Sequence, residues 1–164
     1  MTTGGSELPV DPDLAPAERV RGTGRAWHAV ASRRDVLAVI AVGGAAGAGL
    51  RHAITEAVPR EAGELPWATL AVNVSGCLAL GALVVVLTAT RPASRYLRPL
   101  LGVGLLGGYT TFSAYALEVR DLLDGGHAGT ASAYLLGSVV GGLVAVQLGM
   151  LAGGLGLAAA RRRT

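Results

Sequence analysis

Residues 99–117, PLLGVGLLGGYTTFSAYAL, decide the fold. These 19 residues contain no Asp, Glu, Lys or Arg, close to the roughly 20 residues that a helix needs to cross the hydrocarbon layer. The centre of the stretch argues against one smooth helix. Gly102, Gly104, Gly107 and Gly108 lead into Tyr109-Thr110-Thr111-Phe112-Ser113, and both glycine and β-branched threonine disfavour helix. A break there frees carbonyl and N–H groups at membrane depth. Such groups are tolerated only when buried in protein or facing a water-filled or ion-filled cavity. The competing reading is an unbroken helix whose hydroxyls bond back to preceding carbonyls.

Outward from this stretch the chain keeps the same character. Leu65 to Thr90 and Ala128 to Ala160 are also free of charged residues, and Val36 to Leu50 adds 15 more uncharged positions. With 51% hydrophobic and 15% charged residues and a mean hydropathy of +0.50, the chain is too apolar for an average soluble domain. Strands of alternating polarity are absent, so a closed barrel is not expected, and helices remain as the way to satisfy backbone groups in lipid. The reading is an all-α integral membrane protein with four spans near residues 36–58, 66–90, 97–118 and 128–157. The breaks carry proline, glycine and charge: Pro59 to Pro66, Arg91-Pro92 to Arg98-Pro99, and Arg120 to Gly126. Residues 1–35, with Pro9, Pro12, Pro16 and five arginines, read as a disordered tail, and residues 158–164 as a basic tail. Val36 to Leu50 also resembles the apolar part of a secretory signal, but the polar segment before it is long for one.

Four spans put both termini on one side, and the arginines sort unequally. Eleven lie on the terminal side, at 19, 21, 25, 33, 34, 91, 95, 98 and 161–163, against Arg60, Arg120 and Arg51 at the other. The positive-inside rule then places both termini in the cytoplasm of a cell membrane. The net charge of +3 fits a solvated surface or contact with anionic lipid, and no nucleic-acid partner is expected.

An enzyme needs converging acids, bases or metal ligands. The three histidines, at 28, 52 and 127, have no metal-ligand spacing, and the single cysteine, Cys77, cannot form an internal disulfide. No enzyme is expected. The string Gly43-Gly44-Ala45-Ala46-Gly47-Ala48-Gly49 lacks the Lys of a phosphate-binding loop. Close helix packing is the better use for glycines four apart, as at Gly43 and Gly47, Gly137 and Gly141, and Gly149 and Gly153. Asn73 and Ser75 in the second span, with Tyr134 and Ser138 on one face of the fourth, are polar groups at depth and need partners. They either bond between helices or line a pathway. Glu56 and Glu118 are placed near helix ends, so no carboxylate is expected deep in a span; uncharged donors then favour a dehydrated small anion or a packing role over a proton-coupled cation exporter.

Three motifs resemble the CrcB/Fluc fluoride channels. Gly107-Gly108-Tyr109-Thr110-Thr111-Phe112-Ser113 is similar to that family's G-G-x-T-T-F-S signature, Gly47-Ala48-Gly49-Leu50-Arg51 to its G-A-x-x-R, and Thr69 to Gly76 to its T-L-x-V-N-x-x-G. The resemblance covers about residues 36–157. It implies a passive fluoride exporter, an antiparallel dimer with two pores, and a third helix broken at the signature. It further implies a structural sodium ion, not transported, held at the dimer centre by the backbone carbonyls of Gly107 and Thr110. Asn73, Phe112, Tyr134 and Ser138 match pathway positions. Tyr115 stands where the family has a second phenylalanine, keeping the electropositive ring edge and adding a hydroxyl. Arg51 matches a family arginine, taken as structural or anion-attracting.

An antiparallel homodimer needs a chain that inserts both ways, whereas the arginine bias points to one fixed orientation. Pairing with an oppositely oriented paralogue is therefore expected beside the homodimer. Two rivals stand outside the resemblance. A small four-helix drug or cation exporter requires a deep acid in the first helix, and Val36 to Leu50 has none. A non-transporting scaffold subunit would use its polar residues for packing alone.

Overall fold

The computed structural model describes residues 33–90 and 95–162. Expectations for residues 1–32, for Arg91-Pro92 and for 163–164 fall outside them, and the description concerns the unit Val36–Thr164. The elements are α1 (Arg34–Ala57), α2 (Trp67–Thr90), α3 (Pro99–Leu106), the short α4 (Gly107–Tyr109), α5 (Ser113–Asp124) and α6 (Ala128–Arg161). Four segments are long and apolar enough to cross a membrane: α1, Trp67–Ala89 of α2, Pro99–Asp124, and α6. The side chains are arranged for lipid, since Val42, Leu136, Leu143 and Leu155 stay between 62% and 73% exposed. A water-soluble chain rarely leaves so much contiguous apolar surface open. The protein is an all-helical, multi-pass membrane protein.

Two boundaries differ from expectation. The third span continues past 118 to Asp124, because its last turns are amphipathic. Val119 and Leu122 turn inward and are buried, while Arg120 and Asp124 pair at 3.3 Å on the exposed side. Helix α6 runs to Arg161, so its 34 residues measure about 51 Å, longer than a hydrocarbon layer of about 30 Å. Residues Pro99–Leu106 are wound as a π-helix, a form that usually occurs as a single turn and that composition gave no reason to expect.

Backbones approach one another where glycine leaves room. A Cβ on Gly43 would lie 2.6 Å from the Leu100 carbonyl oxygen, and one on Gly47 2.1 Å from that of Leu105. On the second pair of helices, Gly149 meets the Leu78 carbonyl at 2.0 Å and Gly153 that of Ala82 at 3.0 Å, by the same measure. Contacts that advance together show that α1 runs parallel to α3, and α2 parallel to α6. The expected Gly137–Gly141 pair is different: a Cβ on Gly137 meets nothing within 4 Å, and one on Gly141 only ordinary contact with Val74. Gly76 and Gly81 are close approaches without that spacing, and Gly104 and Gly108, also four apart, are a further pair not named from the sequence.

The apolar core gathers at the α5–α6 turn, where Val119, Leu122, Ala131 and Tyr134 pack with Leu65, Leu70 and Tyr115. Gly126, at φ 80°, makes the turn possible. Gly63, at φ 86°, lies so close to His127 that a Cβ would sit 2.6 Å from the imidazole ring. The two loops at this end are thus packed together.

Candidate functional site

The middle of the third span is where the backbone leaves the helix. Helical structure stops at Tyr109 and resumes at Ser113, with Thr110 extended at φ −77° and ψ 156°. Two N–H groups that an uninterrupted helix would give to the carbonyls of Gly107 and Thr110 have gone elsewhere. The Thr111 N–H donates to Asn73 Oδ1 at 2.9 Å, and the Ala114 N–H donates to Thr111 Oγ1 at 3.2 Å. Asn73 Nδ2 in turn donates to the Thr111 carbonyl at 2.9 Å. One amide side chain on α2 thereby supplies both backbone bonds of Thr111, as an adjacent peptide would. The back-bonding hydroxyl of the alternative reading also exists, from Thr110 Oγ1 to the Leu106 carbonyl at 2.9 Å, one residue before the chain turns extended.

Helices α2, α3, α5 and α6 line an open cavity of about 380 Å³ against this segment. Asn73, Gly107, Thr110, Phe112, Tyr115 and Ser138, six of the eight residues singled out in the sequence, lie in its wall. Ser138 Oγ is buried with no hydrogen-bond partner among the described residues. That hydroxyl is a donor in want of an acceptor, at a cost of about 1–3 kcal/mol if nothing meets it. Phe112 is 78% exposed, standing at the open side of the cavity. Its ring, that of Tyr115 and that of Tyr134 form a ladder with centroids 5.7 Å and 5.2 Å apart and tilts of 47° and 60°, the tilted geometry that turns ring edges toward neighbours. The Tyr115 hydroxyl does not enter the cavity as a free donor, because it donates to the Leu135 carbonyl at 3.1 Å.

The other two singled-out residues lie elsewhere. Arg51 Nε donates to the Gly108 carbonyl at 3.3 Å, tying α1 to the short α4. Tyr134 is 1% exposed and its hydroxyl donates to Glu118 Oε2 at 2.6 Å, while Thr69 Oγ1 donates to Glu118 Oε1 at 2.7 Å. Glu118 therefore does not sit near a helix end, as its position in the sequence suggested. It lies midway along α5 with both oxygens bonded by hydroxyls from α6 and α2. With Thr69 it borders a further cavity of about 220 Å³, whose wall also holds Arg60 and Glu64. The missed signal was periodicity: Tyr115, Glu118, Val119 and Leu122 fall on one helical face.

Ser75 and Tyr109 were not read as a pair. Their hydroxyls lie 2.9 Å apart on the exposed side of the bundle, and a Cβ on Gly76 beside them would be 2.3 Å from Thr110 Cγ2. Polar groups thus face outward at mid-span next to the extended segment.

Comparison with known proteins bears on this arrangement. The family profile described as CrcB-like protein, Camphor Resistance (CrcB), matches residues 38–150. A protein of Nocardia farcinica named Fluoride-specific ion channel FluC 2 is 48% identical over 127 residues, 77% of this chain and 91% of that protein. One of a Chelativorans species, named Fluoride-specific ion channel FluC, is 45% identical over 70% of this chain and 92% of its own length. Streptomyces avermitilis has two relatives, FluC 2 and FluC 3, at 46% identity over 74% of this chain and 72% of that protein, and 40% over 77% and 62%. These relatives are named as ion channels and not as enzymes. The profile spans the helices that carry the interrupted third span and its asparagine staple, and on that match this chain belongs to the CrcB family.

Proposed function

We propose that this chain is a passive, fluoride-selective channel that exports fluoride and lowers its concentration in the cytoplasm. The observation that carries the reading is the cavity at the interrupted span, with the partnerless Ser138 hydroxyl and the Phe112 ring in its wall, in a chain whose relatives are named for fluoride conduction. Fluoride is small and holds its water tightly. It enters only where donors replace that water, and larger halides do not fit the same contacts. Ser138 is such a donor, and the ring edges of Phe112 and Tyr115 face an anion favourably. Asn73 holds the cavity wall, and Tyr134 continues the polar line toward Glu118.

The active unit is an antiparallel dimer. The outward-facing Ser75 and Tyr109 hydroxyls and the exposed Phe112 support a second chain over this face, since polar groups at membrane depth need protein or ions around them. The carbonyls of Gly107 and Thr110, whose helical donors are diverted to Asn73 and Thr111, fit a structural sodium ion, which supplies fixed positive charge near the anion path. The partner is a second copy or an oppositely oriented paralogue, and the arginine bias favours the paralogue. The membrane is the cell membrane, with both termini in the cytoplasm.

Fluoride efflux from liposomes containing the purified chain, read by a fluoride electrode with chloride as control, tests the function. Rapid release of fluoride without chloride is the expected result for an assembled dimer. Silence from folded protein both alone and co-expressed with a paralogue overturns it. Accessibility tags on each terminus, in cells expressing this chain alone, test orientation: equal labelling from both sides overturns the fixed insertion.

A further inference from the structure

At the end of α2 away from Glu118 lies a groove of about 250 Å³, with Leu80, Leu83, Val84 and Leu87 along one wall and Gly102 along the other. Among the described residues the lining has one charged group, Arg98. Its guanidinium is held over the end of the groove by a bond from Nη2 to the Leu87 carbonyl at 3.0 Å. A guanidinium carries five N–H donors, and this bond uses one. The hydroxyl of Thr88, also in the wall, donates to the Val84 carbonyl. Val84 is 51% exposed, so the groove opens to the side of the bundle, and it shares Leu80 and Gly102 with the cavity at the interrupted span.

Two further arginines lie at this end of the bundle. Because Gly149 packs on Leu78 and Gly153 on Ala82, α2 and α6 run the same way. Arg161 and Arg162 therefore lie at the same end of the bundle as Arg98. A hydrated anion entering this groove would exchange its water for one guanidinium and four aliphatic side chains, a poor exchange. A chain of methylenes gains from the same walls, and a phosphate joined to it pairs with the guanidinium fork.

We propose that this groove is a binding site for an anionic phospholipid, with one acyl chain along Leu80 to Leu87 and the headgroup phosphate on Arg98. It rests on the membrane embedding of the chain and not on fluoride conduction. The test is native mass spectrometry of the purified full chain, loaded with phosphatidylglycerol or with phosphatidylcholine of identical acyl chains. The anionic lipid is retained about fivefold better, the contribution of one arginine near a headgroup. Arg98→Gln removes that preference and Arg98→Lys keeps part of it. Val84→Trp, at an exposed position, fills the groove and lowers retention even if Arg98→Gln does not fold. Equal retention of the two lipids overturns the site, as does displacement of the anionic lipid by inorganic phosphate alone. So does a Val84→Trp protein that changes its assembly state with lipid retention untouched, which would mean that a second chain covers the groove.

Discussion

Asn73 and Thr111 are joined by two hydrogen bonds of 2.9 Å, one in each direction, between the amide side chain on α2 and the backbone of the extended segment. The pair meets the N–H and the carbonyl of Thr111 where the third span leaves the helix. Replacing Asn73 by Ala leaves a donor and an acceptor unmet, at about 1–3 kcal/mol each. Asn73→Asp keeps the acceptor for the Thr111 N–H and sets a carboxylate against the Thr111 carbonyl. Both variants are expected to unfold at lower temperature in detergent than the parent and to lose fluoride efflux. An Asn73→Asp protein as heat-stable as the parent would remove the staple from the account.

Much of this was legible beforehand for a simple reason. Uncharged runs such as Leu65 to Thr90 and Ala128 to Ala160 can be read at any register, because lipid rewards apolarity and length alone. The glycines and threonines from Gly102 to Thr111 likewise announce themselves by being poor helix formers in a place that demands helix. Glu118 was not legible, since the charged residues after Leu117 suggested a helix end. Its role depends on Thr69 and Tyr134, 49 and 16 residues away, which chain order does not bring together. The π-wound Pro99–Leu106 is the stretch against which Gly43 and Gly47 of α1 seat, a contact that chain order does not show.

Glycine substitutions separate packing from composition. Gly149→Ala drives a methyl to 2.0 Å from the Leu78 carbonyl oxygen, a backbone atom that cannot swing aside, while Gly137→Ala and Gly156→Ala meet nothing within 4 Å. Overpacking of this kind costs about 1–3 kcal/mol or more, whereas an open helical position gains up to about 1 kcal/mol from alanine. Gly149→Ala is therefore expected to lower the unfolding temperature of the detergent-solubilised chain, and Gly156→Ala to leave it unchanged or raised. A reversed order would contradict the α2–α6 contact. Gly137→Ala, on the exposed side, should behave like Gly156→Ala unless a second chain packs there.

Tyr115 and Phe112 share a ring contact but are predicted to differ on substitution. The Tyr115 hydroxyl is spent on the Leu135 carbonyl, so Tyr115→Phe removes one bond, worth about 0.5–1.5 kcal/mol, and leaves the ring edge in the cavity wall. Fluoride efflux is expected to stay within about threefold of the parent, with chloride still excluded. Phe112→Ile removes the ring itself and is expected to reduce efflux by at least tenfold with the fold retained, since Phe112 is 78% exposed and contributes little to the core. Equal efflux from Phe112→Ile and the parent would take the ring out of the pathway.

The two hydroxyls on Glu118 make its charge a matter of the whole bundle. A carboxylate that accepts from Thr69 at 2.7 Å and Tyr134 at 2.6 Å links α2, α5 and α6 through charge-assisted bonds, each worth about 1.5–3 kcal/mol. Glu118→Gln offers one acceptor where two were used, and its amide donors face hydroxyls that must rotate to receive them. Tyr134→Phe removes one donor but keeps the ring that packs with Tyr115 and the Val119 cluster. If the carboxylate is held by both, the double variant Thr69→Val with Tyr134→Phe loses more stability than the sum of the single changes, because the carboxylate is left with neither donor. Thermal unfolding of the four proteins in one detergent measures that coupling. Strict additivity would reduce Glu118 to two independent contacts, and a Glu118→Gln protein more stable than the parent would show that burying the charge costs more than its hydroxyls return.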